Sequence, residues 1–395
     1  MFKNINKLEP YILLPIVALI TFNSCIEQFE PEVLDFESAI VVEATITDEM
    51  QAHRIFLTRA FEFDSNGPSP ESNANVRVVD GSGNTFVFKE IEPGVYESEQ
   101  VFAAQPENNY RLSITANGRS YSSTEASLGQ ATQIDNLRAE RMTNDDGEDG
   151  VAILLDSFDP SGSSVNYLYR YEESYKIIAP NWQPQELILG ENGIELVNKI
   201  QEDRICYATH LSNTIIQTST RDLDEDRVDN FIVRFISSEN FIISHRYSIL
   251  VRQFIQSDEA FSYYETLKKF SSSESLFSET QPGFLEGNVS SDENPNEKVL
   301  GYFDVSSVTE RRIFFNYEDF YPGEDLPPYA DPCMLNAPNN RGLTGGITLN
   351  LIRYFDENDG RRPEFADGGR YIIVPRICGD CTVLGETPVP EFWVE

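Results

Sequence analysis

The sequence predicts a mainly β protein: an N-terminal Ig-like or transthyretin-like β-sandwich followed by a larger β-rich domain with one amphipathic helix. Three observations predict it. Apolar and polar residues alternate over short runs, as at Tyr110, Leu112 and Ile114, which is the period of a half-buried strand. Turn signals recur between those runs, Asp80-Gly81-Ser82-Gly83-Asn84 and Asn117-Gly118 among them, and such residues close hairpins. A helical spacing of apolar residues stands out at only one place, after Ser257.

In the first domain, residues 37–127, the run at 39–46 is rich in β-branched residues, and residues 53–60 alternate around Ile55 and Leu57. Residues 75–79 and 85–89 flank the Asp80 turn. Pro93-Gly94-Val95-Tyr96 opens another strand, and residues 119–123 return after Asn117-Gly118. Short strands with turns at regular intervals indicate a sandwich, an architecture that more often presents a surface than performs chemistry.

The second domain, residues 128–395, opens with strands at 134–141, 151–155 and 167–173. A hairpin is expected over 186–200, and Tyr247, Ile249 and Val251 mark a strand face. The helix has Ser257 as its cap, Asp258 and Glu259 at its positive end, and Lys268 and Lys269 at the other. Phe261, Tyr264, Leu267 and Phe270 form its apolar stripe, expected to pack on a sheet. Residues 316–346 read as a long loop holding Tyr317, Phe320, Tyr321, Tyr329 and Cys333. An ordered stretch of that length without regular structure is usually functional, so Tyr317, Tyr321 and Tyr329 are the candidate contacts for a ligand or partner. Strands follow at 347–355 and 371–377.

The N-terminus carries an address. Lys3 and Lys7 precede an apolar run of about a dozen residues, too short for a membrane-spanning helix, which needs roughly 20. Ser24 then precedes Cys25. Residues 1–24 read as a lipoprotein signal peptide, Cys25 as the lipidated first residue of the mature chain, and the acidic residues 25–36 as its tether. A plain secretion signal is the alternative. Several acyl chains on one cysteine hold a protein stably in a membrane. The expected place is the outer membrane, facing the cell exterior.

The chain carries 65 acidic against 30 basic residues, a formal net charge of −35. Such a surface repels nucleic acid and anionic lipid. No phosphate-binding or dinucleotide fingerprint appears, and no Gly-x-Ser-x-Gly elbow. His53, His210 and His245 have no metal spacing, and Asp222-Leu223-Asp224-Glu225-Asp226 lacks the glycine and glutamate of a calcium loop. Trp182 and Trp393 can stack on a sugar ring, though packing is the commoner use of each. The sequence therefore predicts no metal, no cofactor and no enzyme. Cys206, Cys333, Cys378 and Cys381 are disulfide candidates, with three connectivities open. Cys378-Gly379-Asp380-Cys381 also has redox or zinc spacing, but no helix is expected to start there and no second close pair exists.

Several short pieces occur in order along the chain: Ser24-Cys25-Ile26-Glu27, Val41-Val42-Glu43-Ala44-Thr45-Ile46-Thr47, Pro93-Gly94-Val95-Tyr96, Glu225-Asp226-Arg227-Val228, Phe235-Ile236-Ser237-Ser238, Tyr247-Ser248-Ile249-Leu250-Val251, residues 257–264, Leu300-Gly301-Tyr302-Phe303, the Cys378/Cys381 pair and Pro390-Glu391-Phe392-Trp393. Their order and spacing resemble a Bacteroidetes outer-membrane lipoprotein family catalogued as domain of unknown function 4249. The resemblance implies a surface lipoprotein that partners a TonB-dependent outer-membrane transporter in capture or uptake of a small ligand. It carries no catalytic residues over. A structural or adhesive surface lipoprotein is the alternative, and a surface hydrolase a further one.

Overall fold

A computed structural model describes residues 38–61, 67–272 and 285–395; the signal, the tether and Cys25 lie outside them. In chain order the first strands are β1 (Ile40–Thr47), β2 (Arg54–Arg59), β3 (Ser69–Pro70), β4 (Asn75–Asp80), β5 (Thr85–Glu92), β6 (Val95–Ser98), β7 (Asn109–Ala116), β8 (Arg119–Ser123) and β9 (Ala126–Ser127). Their alternation sets their burial. Ile40, Val42, Ala44 and Ile46 of β1 point inward with Ile55 and Leu57 of β2, while Glu43 faces out. The β4–β5 turn is held by the Asp80 carboxylate, which accepts from the backbone N–H of Ser82 at 3.0 Å and of Asn84 at 2.8 Å.

These strands do not form two separate stacked sheets. Hydrogen bonding runs continuously through one 11-stranded sheet among the described residues. Two of its strands come from far along the chain: β19 (Val289–Ser291) on β8, and β20 (Val299–Ser306) on β1. The β1–β20 pairing is parallel, from Ile40↔Val299 to Thr47↔Ser306. The sheet curls until its ends meet. The Asn288 amide donates to the Phe303 carbonyl at 2.7 Å and accepts from the Phe303 N–H at 2.8 Å. Gly301 permits the fit: its φ is +109°, and a Cβ there would lie 1.8 Å from the Val42 carbonyl oxygen. One apolar core fills the interior.

The intervening chain builds a second module. Its strands are β10 (Ile134–Thr143), β11 (Asp149–Phe158), β12 (Asn166–Ile178), β13 (Gln185–Gly190), β14 (Gly193–Asn198), β15 (Ile205–Leu211), β16 (Ile216–Ser219), β17 (Arg227–Ser237) and β18 (Arg246–Ile255), joined by β21 (Val308–Asn316). The sheet β10-β11-β17 packs on the sheet β15-β12-β18-β21, with β16 also on β12. The inner face is rich in tyrosine: Tyr167, Tyr169, Tyr175 and Tyr247 are all buried. Buried polar rings need partners. Tyr247 donates to Glu173 at 2.7 Å, and Tyr167 to Asp226 at 2.8 Å. That bond places Asp226 inside the fold.

Helix α1 (Asp258–Ser272) begins as expected, with the Ala260 N–H donating to the Ser257 hydroxyl at 3.1 Å. Its packing face is rotated from the expected stripe. Ala260 and Tyr263 are buried, with Tyr264 and Leu267 beside them, and they meet Tyr302 of β20. A tyrosine at 263 can keep its hydroxyl in reach of the Gly301 backbone, so a position that reads as polar in the apolar repeat becomes the centre of the contact. The helix lies against both β20 and β12 and so bridges the two modules.

A small third cluster joins the β13–β14 hairpin to α2 (Asn340–Thr348), β22 (Ile352–Glu357) and β23 (Tyr371–Pro375) around Leu187, Leu343 and Tyr354. Here two expectations are corrected. Residues 316–346 are not all irregular, and the strand expected from 347 begins only at Ile352. Asn339 caps α2 by accepting from the Gly342 N–H at 3.0 Å, which carries Ile347 into the helix's last turn. A further one-turn helix, α3 (Arg376–Gly379), holds Cys378, and a 3-10 turn over Cys381–Val383 follows, where no helix was expected.

Candidate functional site

The loop tyrosines are placed first by burial. Tyr317 and Tyr321 stack with ring centroids 4.7 Å apart, and the Arg141 guanidinium lies 4.1 Å from the Tyr321 centroid. Tyr321 is 1% exposed and Tyr317 7%. Both are core residues and offer no surface to a ligand, which corrects their reading as contacts. Burial pushes the Tyr321 hydroxyl up to about 12. Tyr329 differs. It is half-buried, donates to the Ile377 carbonyl at 3.1 Å, and lines a shallow hollow of about 410 Å³ with Phe241 and Pro328. The aromatics order this loop, as the sequence suggested, but two of the three do so by anchoring it.

The cysteines form two bridges, Cys206–Cys381 and Cys333–Cys378, each with Cα atoms 5.6 Å apart. Cys378 and Cys381 are therefore not partners. Each ties its end of the short helical segment to a distant element, Cys381 to β15 and Cys378 to the loop before α2. Asp331, Cys333 and Cys378 come within 4.8 Å, but both sulfurs are used in the bridge. The Asp380 carboxylate between them is 3% exposed and meets Arg353 and Arg376. Burial pushes its pKa up, and the hydrogen bonds from Thr382 and Arg376 outweigh this, holding it at about 2. This is a structural brace. The tryptophans are packed too: Trp182 donates to Asp203 at 2.6 Å, and Trp393 lies edge-on to Tyr207 and Phe314. The histidines sit apart: His53 meets the Phe102 carbonyl at 2.9 Å, and His210 meets Tyr175 at 3.1 Å.

A larger concavity than that hollow lies elsewhere, between the two β modules. It is a cleft of about 920 Å³. Its walls are β1 and β20 on one side, the outer face of β12 and β18 on the other, and α1 at one end. Leu168, Leu250, Tyr302 and Leu267 make it mostly apolar, and Phe56 (42% exposed) and Leu211 (73% exposed) stand at its mouth. Side chains alternate in a strand, so Leu168, Arg170 and Glu172 of β12 face the cleft, as do Leu250, Arg252 and Phe254 of β18.

The charged groups in it are unevenly partnered. Glu172 and Arg312 pair at 2.7 Å. Arg252 meets both Glu49 and Glu310, the latter at 3.2 Å. Arg170 makes no hydrogen bond among the described residues, and its nearest carboxylate is Glu43, at 3.8 Å. Arg170 and Arg252 stand directly opposite in the β12–β18 register, a like-charge placement that works against pairing. Behind them Asp304 is buried. Burial raises its pKa, against the Ser306 hydroxyl, the Val305 N–H and the charge of Arg170. Burial likewise raises Tyr264. The sequence held one signal for this site. Arginine and glutamate recur at alternate positions within strands whose other residues are core, and that pattern requires a second, polar face.

Residues 26–312 match the family described as Domain of unknown function (DUF4249). The chain belongs to this family. Every residue that lines the cleft, from Val41 to Glu310, falls within the DUF4249 match, as does Cys206, while Cys333, Cys378 and Cys381 lie beyond it. No curated protein matches this DUF4249 member. Among solved structures it is similar to a DUF4785 family protein from Legionella pneumophila subsp. pneumophila str. Philadelphia 1, at 11% identity over 54% of this chain and 51% of that one, with a TM-score of 0.15. The chain thus spans about half the length of that protein, and a likeness of this grade carries no argument.

Proposed function

We propose that this DUF4249 member is a membrane-tethered binding module, not an enzyme. It captures a small ligand in the cleft between its β modules and works beside a TonB-dependent outer-membrane transporter. The observation that carries the reading is the cleft itself. At about 920 Å³ it has the size of a small-molecule site, with apolar walls and a few charged groups. The tether belongs to the same reading: Ser24-Cys25 after a short apolar run supports lipidation at Cys25, and the acidic residues that follow support an outward-facing position. The test is affinity capture of the tagged full chain from detergent-solubilised outer membranes, with mass spectrometry of what comes with it. The expected result is a TonB-dependent receptor enriched over an unrelated lipoprotein control. Enrichment of none would return the protein to the structural or adhesive reading. Activity in a glycan and peptide hydrolysis screen would support the hydrolase instead.

A further inference from the structure

Arg170 stands in the cleft with its side chain 41% exposed and no carboxylate closer than Glu43. Its guanidinium has no hydrogen bond among the described residues, although five N–H donors are available in a rigid fork. Glu43 faces it at 3.8 Å, beyond hydrogen-bond distance, and is itself exposed. Both side chains line the main cleft and also a second hollow of about 400 Å³ on the other side. The pair therefore stands between two open spaces, one charge on each module: Glu43 on β1, Arg170 on β12. The Tyr264 hydroxyl, on α1, has no hydrogen-bond partner among the described residues either, and lines the same cleft.

The sign of the ligand follows from what surrounds the pair. Arg252 is already met by Glu49 and Glu310, and the whole chain carries −35, so a simple anion gains only Arg170 against a repelling field. A simple cation meets Glu43 but also two arginines in opposed register. A molecule with both charges satisfies both sides, its carboxylate on the guanidinium and its ammonium on the glutamate, by charge-assisted hydrogen bonds. The apolar lining requires the rest of that molecule to be apolar, and Phe56, Leu211 and Tyr302 offer it aliphatic and aromatic surface.

Resting on the binding-module reading, we propose that the cleft binds a short apolar peptide with both termini free, its carboxylate held by Arg170 and its ammonium by Glu43. Binding opens the 3.8 Å pair and replaces it by two shorter contacts through the ligand, so the ligand bridges the two modules.

The test is calorimetric titration of the full chain with the dipeptide Phe-Leu, its N-acetyl form and its C-terminal amide. Phe-Leu is expected to bind, and each blocked form to bind at least about tenfold more weakly, the loss of one charge-assisted contact. Arg170→Gln should abolish the difference between acid and amide while keeping the difference between free and acetylated forms, and Glu43→Gln should do the reverse. Melting curves of the variants report their fold, and the blocked ligands on the unaltered chain test the clamp without any substitution. Absence of Phe-Leu binding, or equal binding of the three ligands, overturns the proposal. Receptor capture decides the binding-module reading separately: a co-purifying receptor with no peptide binding removes the ligand class alone.

Discussion

Replacing the Cys206–Cys381 bridge by Cys206→Ala with Cys381→Ala measures how far covalent closure holds the C-terminal part of the fold. The bridge closes 175 residues, and Cys333–Cys378 closes 45. Loop-closure entropy assigns about 5 kcal/mol to the first and about 4 kcal/mol to the second. Their difference, about 1.2 kcal/mol, depends only on the ratio of loop lengths. Because the shorter loop is nested within the longer, the inner bridge shortens the outer path, and about 5 kcal/mol is an upper figure. Urea unfolding of the full chain followed by tryptophan fluorescence is the assay. Trp182 hydrogen-bonds Asp203, three residues before Cys206, and Trp393 packs on Tyr207, so both fluorophores report on the stapled region. The expected order of unfolding midpoints is the parent chain, then the inner double variant, then the outer. An inner variant that loses as much as the outer, or a parent chain whose midpoint ignores reductant, would refute the closure argument.

Two further outcomes follow from single residues. Gly301→Ala should destabilise the fold by more than about 3 kcal/mol, since the added methyl meets the Val42 carbonyl in a backbone conformation that disfavours side chains; a thermal melt within a degree of the parent would contradict the close β1–β20 approach. Asp380 is held at about 2 against 3.8 for the unfolded chain. Its folded pKa is depressed, so its stabilisation, about 2 kcal/mol, is complete above pH 3.8 and lost as pH falls towards 2. Asp380→Asn should therefore flatten the acid limb of a stability–pH profile in that window and leave the profile's shape near neutrality unchanged.

Local pattern was enough for most of the strands. The alternation at Ile40, Val42, Ala44 and Ile46, the carboxylate-locked turn at Asp80, the β13–β14 hairpin and the Ser257 cap all depend on neighbours within a few residues. What was not legible depends on distant partners. Nothing in residues 299–306 says that they lie parallel to residues 40–47, because apolar alternation specifies a face and not a neighbour. Tyr317 and Tyr321 failed as contacts for a related reason. An aromatic in a loop has the same sequence signature whether it anchors that loop or presents a surface, and Arg141, which covers Tyr321, lies far back on β10. Four cysteines leave three pairings equal until the strands are placed. The cleft is made by two modules and a helix, so each wall is ordinary when read alone.

The late arrival of β20 has a consequence for how the molecule is made. Residues 40–47 have their outer hydrogen-bonding edge capped only by residues 299–306, so the first module stays open-edged while roughly 250 further residues emerge. An unpaired strand edge is a template for pairing with another chain, and contacts this distant in sequence form slowly. The N-terminal half is therefore the part of the chain most dependent on protection during synthesis, and a truncation ending before residue 299 should aggregate instead of yielding a smaller folded domain.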